Sequence, residues 1–276
     1  MNTTQKQDLL IFSDHSIIPH QCSSGESHDL ILVTHTSATS PSWLCNALIE
    51  TQLMGAPFSL KTESTVLPPS PSQSFMTIGS FIHDYRYFEN SLTKLKINPT
   101  QYHFVDCLTD FVVENAGKPK NKVLNGILNN FLQKLKANST VILEEPEILL
   151  GLIDGLTSNE LHQEFITPLM RNCGLLIIST STELYYENPT YDVHSEAFSS
   201  SLDKQSIEYK RFTMSCIYKA LVVLNLKQLD TGRAKDITGT LRITRGGCPN
   251  PHDQLHVVEN EYLYLKKREV TKLFYR

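Results

Sequence analysis

The sequence predicts an α/β fold with a mostly parallel central sheet, flanking helices and antiparallel strands near the carboxyl terminus. Over the first two-thirds of the 276 residues, short apolar runs alternate with segments of helical periodicity, a pattern typical of parallel sheets covered by helices. In the last third, strand-like runs follow one another across short turns, which favours antiparallel neighbours. No linker or internal repeat interrupts the chain, so we expect a single domain over residues 1–276.

The individual elements follow from local periodicity and breaker residues. The predicted strands are Leu9–Phe12, Leu30–Val33, Phe75–Ile82, Tyr102–Leu108, Thr140–Leu143, Leu175–Ser179, Ala220–Leu226, Thr240–Thr244, Leu255–Glu259, Tyr262–Leu265 and Val270–Phe274. The predicted helices are Trp43–Met54, Tyr85–Leu95, Val123–Lys136 and Leu161–Asn172. Residues 59–74 are rich in Ser, Thr and Pro, and residues 186–206 are polar and lack periodicity, so we expect mobile loops at both places.

Composition excludes several classes of protein. No apolar run reaches the 18 or more residues of a membrane-spanning helix, and the amino terminus lacks the pattern of a signal peptide. The 6 cysteines are scattered without a CxxC pair, so we expect reduced thiols in an intracellular protein.

Charge is distributed unevenly along the chain. Residues 204–276 carry 14 Lys and Arg against 7 Asp and Glu, a net charge of +7, whereas residues 1–203 carry a net charge of −11. This asymmetry indicates a basic face for a polyanion or an acidic partner, or a solvated surface with no preferred ligand.

The segment after the first strong strand lacks the residues of a phosphate-binding loop. In a RecA-type nucleotidase, a glycine-rich loop ending in Gly-Lys-Ser/Thr follows this strand and binds the nucleotide phosphates. Here residues 34–43 follow the apolar run Asp29–Val33 and contain no Gly and no Lys. The one Gly-Lys pair, Gly117-Lys118, has Val112 where the leading glycine belongs. If the fold is that of an ATPase, these residues predict a partner subunit that does not hold ATP in the usual way.

Three stretches of the sequence resemble the fungal Elongator complex protein six family. They are QDLLIFSDHS with DLILVTHTS, FITPLMRNCGLLIISTS, and TGRAKDITGTLRITRGG followed by LHVVENEYLYLKKREVTKLFYR. The resemblance covers the whole chain and is weakest in the loops at 59–74 and 186–206.

The resemblance implies a RecA-like fold without a working phosphate loop. It also implies assembly with Elongator proteins four and five into a hetero-hexameric ring that binds tRNA, hydrolyses ATP and attaches to the larger Elongator subunits. ATP is then expected at the ring interfaces rather than on this chain alone. The implied function is support for modification of wobble uridines, in the cytoplasm and with a nuclear pool left open.

Two acidic residues follow the predicted strand Thr140–Leu143. A nucleotidase places a carboxylate for Mg²⁺ or water at such a strand end, so Glu144 and Glu145 are vestigial nucleotide-site candidates. The alternative, which the missing phosphate loop favours, is that they solvate or cap the strand end.

A glycine-punctuated basic run occupies residues 231–247. Its cations Arg233, Lys235, Arg242 and Arg245 are candidates for phosphate contacts with tRNA, for an arginine reaching a neighbour's nucleotide, or for ordinary ion pairs at a surface or subunit interface. Arg242 and Arg245 are three residues apart, so on a strand they need not share a face.

The remaining chemistry-bearing residues form no recognised motif. The set Cys216, Cys248, His252 and His256 lacks the spacing of a structural zinc module, so we predict no metal. There is no GxSxG or HExxH pattern, and we predict no catalytic residue. Two other classes stay open: a DNA-associated scaffold resembling recombinase paralogues, and a self-contained enzyme with an unrecognised pocket.

Overall fold

A nine-stranded sheet forms the centre of the protein. The computed structural model describes residues 28–57, 59–60, 75–109, 115, 117–183, 199–229, 232, 234–249, 257–267 and 270–275, with only the backbone for 199–203. The predicted strand Leu9–Phe12 and the candidate Arg233 lie outside these residues. The strands are β1 (Asp29–His35), β2 (Met76–Ser80), β3 (Tyr102–Asp106), β4 (Thr140–Glu144), β5 (Leu175–Ser181), β6 (Val222–Lys227), β7 (Gly239–Arg245), β8 (Asn260–Lys266) and β9 (Thr271–Tyr275).

The sheet has a parallel half and an antiparallel half. Its strand order is β3-β2-β4-β5-β1-β6-β7-β8-β9. The pairs from β3 to β6 are parallel, and those from β6 to β9 are antiparallel. All seven residues of β1 are buried, as expected for a strand covered on both faces, whereas buried and exposed residues mix along β7. The predicted α/β architecture with antiparallel carboxyl-terminal strands is confirmed.

Helices cover the two faces of the sheet and create two apolar cores. The helices are α1 (Ser42–Met54), α2 (Tyr85–Lys94), α3 (Lys120–Lys134), α4 (Leu149–Leu152), α5 (Ser158–Leu161), α6 (Thr167–Asn172) and α7 (Ser199–Lys219). Helices α1 and α2 contribute to the core that also contains Leu241, Tyr262 and Tyr264 of the antiparallel half. Helices α3 to α7 contribute to the core on the opposite face, which contains Phe131 and Phe212.

The predicted strand Leu255–Glu259 is wrong for the residues that the structure describes there. Residues 257–259 have no regular structure, and 255–256 lie outside the described residues. Glu259 approaches β7 through its side chain, which accepts a hydrogen bond from the backbone N–H of Arg245 at 3.0 Å. At this position a side-chain hydrogen bond therefore takes the place of backbone pairing between strands. Val257 is buried in the core.

The loop predicted at 186–206 is wrong at its end, because residues 199–206 form the first turns of α7. Their polar sequence gives no periodic signal. The helix is anchored further along, where Phe212 and Cys216 are fully buried, and extending an existing helix needs little additional free energy.

In the other predicted loop, Ser59 and Leu60 are described: the Ser59 backbone N–H donates to the buried Glu50 carboxylate, and Leu60 packs in the core. Residues 61–74 and 184–198 lie outside the description.

The predicted helix Leu161–Asn172 starts earlier and contains a π-helical segment. Thr157 and Glu160 form a capping box at the start of α5. The π-helical segment His162–Ile166 separates α5 from α6. Pro168 follows in the first turn of α6, and because proline has no N–H to donate to the carbonyl four residues earlier, the α-helical pattern is interrupted here.

A buried histidine links this π-helical segment to α7. The Nε2 of His162 lies 3.3 Å from the carbonyl oxygen of Phe212, and its Nδ1 lies 3.3 Å from the Lys219 ammonium. Since the carbonyl can only accept and the ammonium can only donate, His162 must be neutral with its proton on Nε2. Burial, together with the charge of Lys219, lowers the pKa of His162 to about 4.

We expect His162 to make folding stability fall with acid. Its folded-state pKa lies below the unfolded value of about 6.5, so its contribution is intact above pH 6.5 and is lost as pH falls towards 4. The loss amounts to about 3 kcal/mol in total. Urea unfolding at several pH values should show that His162→Gln removes this part of the pH dependence, whereas the exposed His103→Gln keeps it. Equal pH slopes for His162→Gln and wild type between pH 4 and 6.5 would contradict the assignment.

Candidate functional site at the carboxyl edge of the sheet

The carboxyl ends of four parallel strands bring polar side chains together at one edge. Glu144 is in register with Ser80 of β2 and with Ser179 of β5, and His35 of β1 is in register with Ser181 of β5. Ligands of open α/β sheets bind outside the carboxyl ends of the strands. This edge is therefore the place to look for a ligand site.

In the loop between β1 and α1, several backbone N–H groups donate hydrogen bonds to oxygen atoms of the protein itself. The N–H of Thr36 donates to Oγ1 of Thr39 at 3.0 Å, and the N–H of Thr39 donates to the carbonyl oxygen of Thr36 at 2.9 Å. The N–H of Ser37 donates to the Glu183 carboxylate at 2.5 Å. In a phosphate-binding loop such N–H groups face the phosphates. Here three of them are occupied by oxygens of the protein.

The vestigial candidate Glu145 forms an ion pair with His35 instead of standing open to a ligand. Its carboxylate lies 3.0 Å from Nε2 of His35, and the backbone of Glu145 is left-handed with φ 50° and ψ 52°. Nδ1 of His35 lies 3.3 Å from the carbonyl oxygen of Thr36. Burial alone would lower the pKa of His35, but the hydrogen bond and charge of Glu145 outweigh it and raise the pKa. The imidazole of His35 thus lies between the Glu145 carboxylate and the carbonyl oxygen of Thr36.

The other vestigial candidate, Glu144, is buried and bound to neighbours from β2 and the loop after it. The Ser80 hydroxyl donates to its carboxylate at 2.5 Å, and Nδ1 of His83 lies 2.9 Å from the same oxygen. The His83 ring stacks on Tyr87 at 3.7 Å. Glu144 and Glu145 thus face different partners.

Among the described residues, no group of three or more His, Cys, Asp or Glu is placed to hold a metal ion; His252 and His256 lie outside them.

Glu147 is one of the residues of this edge that the sequence prediction missed. Its side chain is buried, and it accepts a hydrogen bond from the N–H of Ser181 at 2.7 Å. Burial, with the adjacent charge of Glu145, raises the pKa of Glu147 to about 8. The sequence prediction also missed His35, the last residue of β1, and His83, three residues after β2, because no spacing rule connects either of them to β4.

The structure separates the basic candidates of residues 231–247 rather than bringing them together. Lys235 is exposed just before β7, at the carboxyl edge of the parallel strands, while Arg245 is exposed at the far end of β7, opposite Val222 at the start of β6. Arg242 is exposed between them, and its cross-strand partner on β8 is Glu261. Because they are three residues apart on the regular strand β7, Arg242 and Arg245 lie on opposite faces of the sheet.

The described part of the chain also bears on membrane association. Within these ranges, no helix combines the length and the apolar character needed to cross a bilayer. This agrees with the absence of a long apolar run in the sequence.

Two solved structures are similar to this chain, and one of them superposes well enough to bear on the fold. Flagellar accessory protein FlaH of Methanocaldococcus jannaschii superposes with a TM-score of 0.52 at 9% sequence identity, covering 91% of each chain. A KaiC-like protein of Pyrococcus horikoshii superposes with a TM-score of 0.46 at 8% identity, covering 90% of each chain. The similarity to FlaH agrees with an α/β fold in which helices flank a mostly parallel sheet.

A curated relative identifies the family. The chain is 43% identical over 283 aligned positions to Elongator complex protein 6 of Saccharomyces cerevisiae, and the alignment covers 100% of both proteins. No profile of a protein family matches the chain. At this identity and coverage, the chain belongs to the Elongator complex protein 6 family, and the resemblance stated from the sequence is confirmed.

We expect Glu147→Gln to stabilise the protein increasingly as pH rises. The folded-state pKa of about 8 lies above the ordinary value of 4.5, so wild-type stability from this group is fully present below pH 4.5 and is lost as pH rises through 8. The amide keeps an acceptor for the N–H of Ser181 and cannot ionise. The variant should therefore gain up to about 4 kcal/mol relative to wild type between pH 5 and 8. The measurement is guanidinium unfolding at both pH values, with the exposed Glu89→Gln as control; a gain that does not change with pH would be the contrary result.

Proposed function

We propose that this chain is a non-catalytic RecA-like subunit of the Elongator machinery. It assembles with Elongator proteins four and five into a hetero-hexameric ring, and the ring binds tRNA and supports modification of wobble uridines in the cytoplasm. The observation that carries the proposal is the full-length relationship to Elongator complex protein 6. The whole chain acts as one domain within this assembly.

The arrangement at the carboxyl edge supports a non-catalytic role. The loop from 36 to 41 contains no Gly and no Lys. The N–H of Ser37 donates to Glu183, and the Glu144 and Glu145 carboxylates are bonded to His83 and His35. Phosphoryl transfer needs donors for phosphate and a free carboxylate for Mg²⁺. These groups are engaged within the protein, so ATP turnover in the ring falls to neighbouring subunits.

Exposed apolar side chains at the antiparallel end of the sheet support assembly. The edge strand β9 exposes Phe274 and Tyr275, and Val258 is exposed just before β8. Aromatic residues are enriched in protein interfaces. A ring of different subunits has heterologous contacts, so each face of this chain meets a different neighbour.

Native mass spectrometry of the chain, alone and co-expressed with the two other RecA-like Elongator subunits of its source organism, tests the assembly. We expect a discrete complex that holds two copies of each subunit, because a closed ring satisfies the heterologous interfaces. A chain that stays monomeric and well folded beside both partners would refute the ring.

The first two cations of the basic run, Arg233 and Lys235, should contribute to tRNA binding. In the intact ring, the double substitution Arg233→Gln and Lys235→Gln should weaken tRNA binding and reduce the slope of log affinity against log salt by roughly 0.7–0.9 for each phosphate that is no longer neutralised. Lys94→Gln, which removes an exposed lysine in the last turn of α2, is the control. Filter binding or fluorescence anisotropy across a salt series measures both. Unchanged affinity and salt slope in the double variant would rule out this contribution.

A further inference from the structure

A partly exposed lysine at the end of α7 bridges two other elements. The ammonium of Lys219 lies 3.3 Å from Nδ1 of His162 in the π-helical segment, and it donates to Oγ1 of Thr167 in α6 at 3.2 Å. Turns of π-helix occur frequently at functional sites. Strand β6 begins just after Lys219, so this lysine lies at the amino edge of the parallel strands, away from the carboxyl-edge site.

The two partners of Lys219 need only two of its N–H groups. His162 is neutral and presents a lone pair at Nδ1, because its Nε2 carries the proton that faces the carbonyl oxygen of Phe212. The oxygen of Thr167 is the second acceptor. An ammonium group has three N–H donors. Loss of one proton therefore leaves both hydrogen bonds in place and frees a lone pair on Nζ of Lys219.

The surroundings of Lys219 disfavour its charged form. Burial lowers the pKa of Lys219 below its ordinary value. The titratable groups that face it are His162, which is neutral, and Cys216, which stays a thiol because burial raises its pKa. In the described part of the chain, no carboxylate lies within ion-pairing distance of Lys219.

These features are those of a nucleophilic amine. A lysine that is desolvated and lacks an anionic partner loses its proton more readily, and the free amine is the form that attacks carbonyl groups. Lys219 is partly exposed, so a small reagent reaches it from solvent. The hydrogen bonds to His162 and Thr167 hold its nitrogen in one position while the lone pair is free.

We propose that Lys219 is a site of acylation by an activated acyl donor, either a thioester or an acyl phosphate. The neutral Nζ attacks the carbonyl carbon of the donor, and the new C–N bond forms as the C–S or C–O bond to the leaving group breaks. The thiolate or phosphate departs, and the proton lost from Nζ passes to solvent.

Acylation changes the contact between α7 and the π-helical segment. The acylated nitrogen is uncharged and keeps a single N–H, so it donates to His162 or to Thr167 but not to both. One hydrogen bond is lost together with the positive charge beside His162. Acylation of Lys219 therefore loosens this junction and makes His162 easier to protonate.

Lysine-resolved mass spectrometry of the full-length chain tests the proposal with acetyl phosphate and with the acetyl thioester of N-acetylcysteamine. Lys94 is the internal reference, because it also lies in the last turn of a helix but is exposed. We expect Lys219 to be acetylated at least about threefold faster than Lys94 near pH 7.5, since less of its amine is protonated. The ratio should fall towards pH 10, because ordinary lysines also begin to lose their proton there.

The two donors distinguish the sources of the acyl group. Faster acetylation of Lys219 with only one of them assigns that class of donor, and faster acetylation with both assigns a site that accepts either. A rate at Lys219 no greater than that at Lys94 with both donors would overturn the proposal. This measurement uses the wild-type chain, so it does not depend on the folding of any variant.

The protonation of His162 reports the effect on the junction. Lys219→Gln is uncharged, as an acylated lysine is, and should raise the pKa of His162 from about 4 by about half a pH unit or more, because the neighbouring charge is gone. Lys219→Arg keeps the charge and should leave this pKa low. An NMR titration measures both, with the His162 signal identified by its loss in His162→Gln. The same pKa of His162 in Lys219→Gln and in wild type would refute the loosened junction.

Discussion

The ion pair between His35 and Glu145 connects two strands of the carboxyl edge that are not direct neighbours. It joins the end of β1 to the residue after β4 across the intervening strand β5. The left-handed backbone of Glu145 turns the chain at this point, and the N–H of Thr182, after β5, donates to the carbonyl oxygen of His35 at 2.7 Å. The loop after β1 and the position of Glu183 both depend on this junction, because they begin where β1 and β5 end.

The architecture could be predicted from the sequence, but only some residues of the carboxyl-edge site could. The run Asp29–Val33 predicted β1 because a strand buried on both faces must be apolar throughout. Helix α7 escaped prediction because its first turns are polar and its burial rests on Phe212 and Cys216. Glu144 and Glu145 were found as residues after a strand. Their partners could not be found in the same way, since His35 and His83 are distant in sequence and strand order cannot be read from spacing.

The basic carboxyl-terminal segment of the sequence does not form one basic surface in the structure. The basic carboxyl-terminal segment is divided by the antiparallel strands, so that Lys235 and Arg245 lie at opposite edges of the sheet. Strand direction decides which cations are neighbours, and a net charge summed over a segment contains no information about direction.

At the carboxyl edge of this chain, the polar groups have partners within the chain itself. In a nucleotide-binding subunit, the phosphates of ATP are the partners of such groups. In a nucleotide-binding neighbour, the loop after the first strand gains or loses hydrogen bonds as the ligand binds and leaves. Here the N–H of Ser37 is bonded to Glu183, and His35 to Glu145, so both partners belong to the chain itself. Under the proposed non-catalytic role, folding rather than a nucleotide sets the shape of this edge. In the proposed ring, such a subunit presents a constant surface to neighbours whose own loops respond to ATP, which confines nucleotide-driven motion to the other subunits.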